Sequence, residues 1–353
     1  MMPALKFNMD DQADRKSLVE NEQHGRETDV MRLAQTGISY IKRLLPWLVG
    51  AGILAYLIWR IEINPLLDAL SRADVVLYVP VLMVFMAVNF LADTQNMHAL
   101  LKEPVESITF YDSMIIRGAS YLLMIVDYTL GMGSVVYYLK KYKNLSIFQG
   151  TGLMLFLSYT THISLLIMAI AGSVLAVDSH SAWLRQIAIL CASILAIAVM
   201  LIILYKVLPD KGFLTKIKQS VFVKIFIDSP ARMYIVNTVY RCGFYITFIL
   251  FFYVAVKAFN MDIPFMALLA YVPVILLVIS IPISAFGLGT SQAAMLFLFK
   301  DYGTPAQIMA FSLTYSASII LLRGMLGAFY YSIITRRISF NKFKASFLRG
   351  EIS

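Results

Sequence analysis

Long uncharged stretches separated by short charged connections run through most of the chain. The stretches without Asp, Glu, Lys or Arg are 44–59, 75–92, 144–177, 186–205, 242–256, 263–299 and 302–322. A transmembrane α-helix needs about 20 predominantly apolar residues, and most of these stretches approach or exceed that length. The pattern predicts an all-α integral membrane protein.

The stretch 263–299 is too long for one crossing and is broken near its middle. As one helix it would measure about 55 Å, against a hydrocarbon core of about 30 Å. The break runs from Pro282 to Thr290, and the part after Gly289 covers only about 17 Å. We therefore predict a hairpin that enters the membrane and returns to the same face. Broken helices of this kind line polar paths or binding sites.

The distribution of Lys and Arg predicts a second hairpin. These residues are concentrated in 1–43, 102–143, 206–232 and 336–353, and are sparse in 60–74, 178–185 and 257–301. Cytoplasmic loops carry the excess of positive charge, and a single crossing by 107–141 would place 206–232 outside. We predict that 107–141 is a re-entrant hairpin from the cytoplasm and 263–300 a re-entrant hairpin from outside.

The predicted architecture has six full transmembrane helices and two re-entrant helical hairpins. The full spans lie near 44–60, 75–98, 145–177, 184–206, 232–258 and 305–335. Residues 1–43 are predicted to be a cytoplasmic polar tail and juxtamembrane segment. Residues 44–335 form the transmembrane domain, and 336–353 a basic cytoplasmic tail.

Similar short motifs occur in both hairpins. Gly131-Met132-Gly133-Ser134 and Gly287-Leu288-Gly289-Thr290 are each followed by a short amphipathic stretch and then by a long apolar span. Because the two hairpins are expected to enter from opposite faces, the repeat is inverted, which is typical of transporters. The helices are expected to restart at Ser134 and Thr290, where free N–H groups attract anions and Gly133 and Gly289 allow close approach. Alternatively, these glycines serve only tight turns and helix packing.

Two arginines lie within apolar stretches. A charge at the bilayer centre is costly, so Arg241 and Arg323 should face a cavity or pair with an acid. Asp127 is the first candidate partner and Asp93 the second. Snorkelling or structural pairing is the alternative for the arginines, and Asp93 could simply reach the interface.

The predicted headgroup site combines both hairpins and the two arginines. The residues assigned to it are Asp127, Gly131, Gly133, Ser134, Arg241, Gly287, Gly289, Thr290, Gln292 and Arg323. Three further residues are candidates for gating or the entrance: Asp93, Arg117 at the cytoplasmic side, and Tyr137 at the exit of the first hairpin. Gln292 could bind a headgroup but cannot carry a proton.

Composition narrows the class of function. The chain has 353 residues, of which 59% are hydrophobic, and a mean hydropathy of +0.74, which leaves little room for a separate soluble catalytic domain. The net charge is +9, and the basic residues flank the apolar runs in blocks. This distribution indicates a signal for membrane orientation and contact with anionic headgroups rather than binding of nucleic acid. Four histidines and two cysteines without ligand spacing predict no metal site, and we expect no cofactor.

The stretch from Ile281 to Ala294 resembles the transmembrane region of lysylphosphatidylglycerol synthases, with a proline, a glycine-containing turn and small residues opening a helix. Arg323 fits that family's C-terminal arginine, and residues 130–146 resemble its first glycine-containing hairpin. The chain departs from the pattern at Phe286, where a glycine is usual, and at Gln292, where a glutamate is common.

The resemblance implies a stand-alone, flippase-like translocase for a polar or aminoacylated phospholipid in a bacterial inner membrane, with both termini cytoplasmic. It is not expected to be an enzyme, because the lysyl transfer of that family belongs to a separate soluble domain. The alternatives are an intramembrane lipid-modifying enzyme and a non-transporting membrane partner. The expected partners are membrane phospholipid and either a lipid synthase or a second copy of the chain.

Overall fold

The computed structural model describes residues 45, 47–105, 107–176, 182–207, 221–281, 284 and 287–348, and every regular element in these ranges is helical. The helices are α1 (Trp47–Ile61), α2 (Ile63–Ser71), α3 (Val75–Leu101), α4 (Phe110–Met124), α5 (Tyr128–Lys143), α6 (Ile147–Leu175), α7 (Ala182–Val207), α8 (Val221–Asp228), α9 (Ala231–Ala255), α10 (Phe265–Ser280), α11 (Thr290–Leu298) and α12 (Pro305–Leu348). A short 3-10 helix, Val256–Phe259, follows α9. The predicted all-α class is confirmed. The predicted tail 1–43 lies outside the described residues.

The long helices agree with most of the predicted spans. Within the described ranges, five helices are long and apolar enough to cross a membrane: Val75–Leu101, Ile147–Leu175, Leu184–Leu204, Ala231–Phe259 and Pro305–Arg336. The remaining predicted span, near 44–60, corresponds to α1, which meets this standard only together with α2, at a bend of 89°. The protein is therefore a multi-pass membrane protein with five candidate spans, or six if the bent pair is one.

The bend between α1 and α2 has a local cause. Glu62 has a positive φ of 69° with ψ of 145°, a backbone conformation that residues other than glycine rarely occupy. This conformation ends α1 at Ile61. Pro65 then falls in the first turn of α2, where its missing N–H leaves no helical bond unmade. Beyond the bend, α2 packs against α12.

Helices α4 and α5 form an antiparallel pair, called here the first hairpin. At its base, the Lys143 ammonium lies 3.0 Å from the Asp112 carboxylate and donates to the Ser107 carbonyl at 2.7 Å. At its tip, a Cβ on Gly131 would overlap the Met124 side chain, so the two helices touch closely there. Each helix is about 22–24 Å long. Residues 110–143 are therefore not one straight crossing.

Helices α10 and α11 form the second hairpin. Near its base the rings of Tyr271 and Phe299 lie 6.2 Å apart, and at its tip the Ile279 side chain lies against Gly287. Gly287 and Gly289 have φ of 68° and 84°, in the region that favours glycine. The turn falls within the predicted break. Its residues 282, 283, 285 and 286, among them the divergent Phe286, lie outside the described residues.

Aromatic packing aligns the long helices that carry the polar residues discussed below. Phe85 of α3 stacks on Phe251 of α9 with ring centroids 4.4 Å apart. Phe252 of α9 packs edge-on against Phe311 and Tyr315 of α12, at 5.2 and 5.0 Å. Large rings contribute both buried area and directional contacts, so they hold α3, α9 and α12 in a defined register.

Candidate functional site

A carboxylate bridged by two arginines lies at the centre of the helix bundle. Arg117 of α4 donates through Nε and Nη2 to the two Asp93 oxygens, at 2.6 and 3.1 Å. Arg241 of α9 donates through Nη1 to Asp93 Oδ1 at 2.7 Å. All three side chains are only 4% exposed. The bidentate contact from Arg117 is the geometry in which a buried ion pair compensates best for lost hydration.

Neighbouring hydroxyl groups complete this polar centre. The Tyr121 hydroxyl donates to Asp93 Oδ2 at 2.7 Å, and Arg241 Nε donates to Thr161 Oγ1 at 2.7 Å. The groups come from α3, α4, α6 and α9, so the site joins the first hairpin to three long helices. Charged hydrogen bonds between so many elements fix their mutual positions.

Polar pairs at regular spacing bring α3 and α9 into register. Asn89 Nδ2 donates to Thr247 Oγ1 at 3.0 Å, one turn before Asp93. Asn96 Nδ2 donates to the Asn237 carbonyl at 3.0 Å, about one turn after it. Positions 89, 93 and 96 share one helical face, which explains why Asp93 points into the bundle.

Arg323 supplies a third guanidinium beside this centre. It lies on α12, half-buried, with its guanidinium carbon 5.4 Å from the centre of the Tyr121 ring. No carboxylate of a described residue lies within 4.0 Å of it. A Cβ on Gly324 or Gly327 would lie close to Ile125 or Leu122, so this part of α12 packs directly on the first hairpin near its tip.

The charges around Asp93 do not balance. One carboxylate faces two guanidinium groups directly, and Arg323 adds a third across the Tyr121 ring. Positive charge inside apolar helices is unfavourable without a counter-ion. The described residues around Asp93 therefore carry an excess of positive charge. Within the described ranges, no group of three or more His, Cys, Asp or Glu residues is placed to hold a metal ion.

The tip of the second hairpin is closed by its own hydrogen bonds. Gln292 is fully buried, and its Oε1 accepts from the Gly289 N–H at 2.7 Å while Nε2 donates to Ser316 Oγ at 3.0 Å. The hydroxyls of Thr290 and Ser291 donate to the Gly287 carbonyl at 3.1 and 2.7 Å.

Backbone packing also covers this tip. A Cβ on Gly289 would lie 2.8 Å from the Gly50 carbonyl oxygen and 2.8 Å from the Ile53 Cβ, both in α1. The N-terminus of α11, expected to receive a headgroup, is occupied here by side chains of the protein itself.

The tips of both hairpins contact the same helix, α12. Gln292 reaches Ser316, whereas the first hairpin packs at Gly324, eight residues later and about 12 Å along the axis. Arg323 lies at the level of the first tip. Helix α12 therefore contacts Gln292 of the second hairpin and carries Arg323 beside the first.

Several predicted residues occupy unexpected positions. Asp127 is exposed and caps α5, accepting from the N–H groups of Thr129 and Leu130 at 2.8 and 3.1 Å. It was the first candidate partner for Arg241 and Arg323, but Asp93 pairs with Arg241, and no carboxylate of a described residue pairs with Arg323. Arg117, expected at the cytoplasmic entrance, is buried because α4 turns that face toward α3.

The expected helix restart at Ser134 is wrong. Helix α5 begins at Tyr128, so Gly131, Gly133 and Ser134 lie inside it, and the Ser134 hydroxyl donates to the Gly131 carbonyl at 2.6 Å. The restart at Thr290 is confirmed, with Gly289 preceding α11.

A surface groove on α5 contains two of the predicted residues, Gly133 and Tyr137. The groove has a volume of about 380 Å³ and is lined by Gly133, Val136, Tyr137, Lys140, Lys141 and Ile147. It is called here the α5 groove.

Sequence reasoning missed Tyr121 and Thr161. Tyr121 follows Arg117 by four residues on one helical face, which was an available signal. Thr161 carried no comparable signal, because its contact with Arg241 depends on how α6 and α9 pack.

Comparison with known protein families gives a match over most of the chain. The family described as "Lysylphosphatidylglycerol synthase TM region" matches residues 43–327, which confirms the resemblance predicted from the sequence. No match was found among curated proteins or among solved structures.

Proposed function

Because the chain belongs to the lysylphosphatidylglycerol synthase transmembrane-region family, we propose that it translocates a polar phospholipid between the leaflets of a bacterial inner membrane. Both termini are cytoplasmic in this proposal, and the hairpins enter from opposite faces. The cargo is a phosphate-bearing lipid, and an aminoacylated phospholipid belongs to this class.

The observation that carries the proposal is the excess of guanidinium groups around Asp93. Arg117 and Arg241 are neutralised in part by the shared carboxylate, and Arg323 is left without a carboxylate among the described residues. A phosphate on a lipid headgroup supplies the missing negative charge, and guanidinium binds phosphate through paired N–H donors. Arg323 is the binding residue in this proposal, and Asp93 is a positioning residue that holds the other two arginines.

The half-length hairpins provide the pathway. Helices of about 22–24 Å in the first hairpin, and about 14 Å for α11, do not cross the hydrocarbon core. Their ends therefore lie inside the bilayer, where a polar headgroup otherwise has no partner. The described conformation has the second tip closed by Gln292 and α1, so the cargo first meets the centre from the side of the first hairpin. Opening of the second tip completes the exchange.

The test is leaflet exchange in reconstituted vesicles with a fluorescent phospholipid. Arg323→Ala should reduce the exchange rate at least tenfold, and Arg323→Lys should retain part of it because the charge remains. Arg232→Ala removes the same charge from an exposed position at the start of α9 and should exchange lipid at the wild-type rate. Thermal unfolding in detergent verifies that each variant folds.

The outcomes separate the candidate functions. Exchange that persists at the wild-type rate in Arg323→Ala contradicts the proposed site. Wild-type protein that binds lipid without exchanging it supports the non-transporting partner. A chemically altered lipid after incubation supports the lipid-modifying enzyme.

A further inference from the structure

The α5 groove lies on the face of α5 that is turned away from the arginine centre. Met132 of α5 contacts Arg117 Nη1 at 3.7 Å, and Val135 and Leu139 are fully buried on the same side. Gly133 and Tyr137 are exposed. The groove is therefore a separate surface feature, and nothing in the site described above uses it.

The open part of the groove results from a missing side chain. An added Cβ at Gly133 would meet no atom within 4 Å. Positions 133, 137, 140 and 141 lie along one helical face, so the space at Gly133 continues past the Tyr137 ring to the lysines. Val136 and Ile147 form apolar walls. A volume of about 380 Å³ is within the range of small-ligand sites.

The base of the groove carries unneutralised positive charge. The Lys141 ammonium is 3.2 Å from the Tyr137 hydroxyl and 5.4 Å from the centre of its ring. Lys140 has no hydrogen bond or ion pair with any described residue, in contrast to Lys143, which is held by Asp112. No carboxylate is among the groove's lining residues.

The groove has the same polarity as a phospholipid. Its charged end is at the base of the first hairpin and its apolar end points toward the tip. Lysines at the end of a membrane-inserted helix lie at the headgroup level, so the apolar end faces the acyl chains. A soluble anion would gain nothing from Val136, Ile147 or the space at Gly133.

We propose that the α5 groove binds one anionic phospholipid, with its phosphate between the Lys140 and Lys141 ammonium groups and its glycerol and acyl chain along Tyr137, Val136 and Gly133. The Tyr137 hydroxyl holds Lys141 in position and offers a further polar contact to the headgroup. This site does not depend on translocation, because it would be occupied even in a protein that moves no lipid.

The experiment is native mass spectrometry of the full chain in a neutral detergent, titrated with phosphatidylglycerol or phosphatidylcholine. The double variant Lys140→Ala/Lys141→Ala should bind phosphatidylglycerol about tenfold more weakly. The matched control Lys102→Ala/Lys224→Ala removes two charges from exposed positions outside the groove and should bind as the wild type does.

A second variant tests the shape of the groove without changing charge. Gly133→Leu places a side chain in the open space and should weaken phosphatidylglycerol binding about tenfold. It should not lower thermal stability, because leucine has a higher helix propensity than glycine. All variants are also measured with Arg323→Ala, so that binding at the arginine centre does not contribute.

Several results would overturn the proposal. Equal weakening by the Lys102/Lys224 control means that general surface charge attracts the lipid. Unchanged binding in Gly133→Leu means that the groove is empty. Equal affinity for phosphatidylcholine means that Lys140 and Lys141 do not select an anionic headgroup. Competition by inorganic phosphate at the same concentration as the lipid would show an anion site without lipid specificity.

Discussion

The two hairpins share a Gly-x-Gly-Ser/Thr motif but use it differently. In the second hairpin the glycines form the turn itself, with φ of 68° and 84°, and the tip is closed by the neutral side chain of Gln292. In the first, Asp127 caps the helix and the glycines lie inside α5, one packed on Met124 and one facing open space. The comparison teaches that the motif permits close approach but does not locate the helix end.

The hairpins also differ in charge. The flank of the first hairpin carries Arg117 and meets Asp93, Arg241 and Arg323, whereas the tip of the second is neutral and satisfied. One hairpin therefore contributes an arginine to the positively charged centre around Asp93, and the other forms a closed contact with α1 and α12. In the proposed translocation, the second hairpin opens and closes access, while the first contributes the binding charge.

Asp93→Asn should have the largest effect among the tests of this difference. It leaves Arg117 and Arg241 buried without their carboxylate, which should cost about 3–5 kcal/mol of unfolding free energy. Asp127→Asn is the matched control, because Asn caps a helix as well as Asp and the position is exposed. Denaturant unfolding in detergent measures both. Equal stability of the two variants would show that the arginines do not depend on Asp93.

Alanine at corresponding glycines should change stability in opposite directions. Gly289→Ala adds a Cβ at φ of 84°, 2.8 Å from the Gly50 carbonyl oxygen, and should cost about 2–3 kcal/mol. Gly133→Ala adds a Cβ in open space within a helix and should stabilise by up to about 1 kcal/mol. Unfolding midpoints report both. A loss of stability in Gly133→Ala similar to that in Gly289→Ala would remove the distinction between a turn glycine and a helix glycine.

Gln292→Ala should lower the free energy of unfolding by less than Asp93→Asn or Gly289→Ala does. It leaves the Gly289 N–H and the Ser316 hydroxyl without their partner, at about 1–2 kcal/mol. If the second tip gates access, this variant should also accelerate lipid exchange. Ser134→Ala is the control in the first hairpin, because its hydroxyl bonds only the Gly131 carbonyl within α5. A variant of Gln292 that is stable and exchanges lipid at the wild-type rate would argue against the gate.

The fold could be predicted from the sequence where the length of an apolar stretch or the distribution of Lys and Arg determines it. The break after Ser280 was predictable because 263–299 is too long for one helix and contains proline and paired glycines. The first hairpin followed from the distribution of Lys and Arg. The start of α5 did not follow from the sequence. The Asp127 cap sets it at Tyr128, whereas the glycine motif predicted a start at Ser134, six residues later.

The candidate binding centre was predictable only in its parts. Arg241 and Arg323 stood out as charges within apolar stretches, and Asp93 was named as a candidate. The pairing required the register of α3, α4 and α9, which aromatic packing sets through residues distant in sequence. The closed state of Gln292 likewise depends on α1 and α12, which no local pattern near 292 encodes.

An experimental structure in lipid nanodiscs would test the central claim most directly. The account predicts phosphate density within hydrogen-bonding distance of the Arg323 guanidinium, beside Tyr121 and adjacent to the pair of Arg117 and Arg241 with Asp93. Arg323 paired with a carboxylate of the protein, with no anion at the centre, would contradict it.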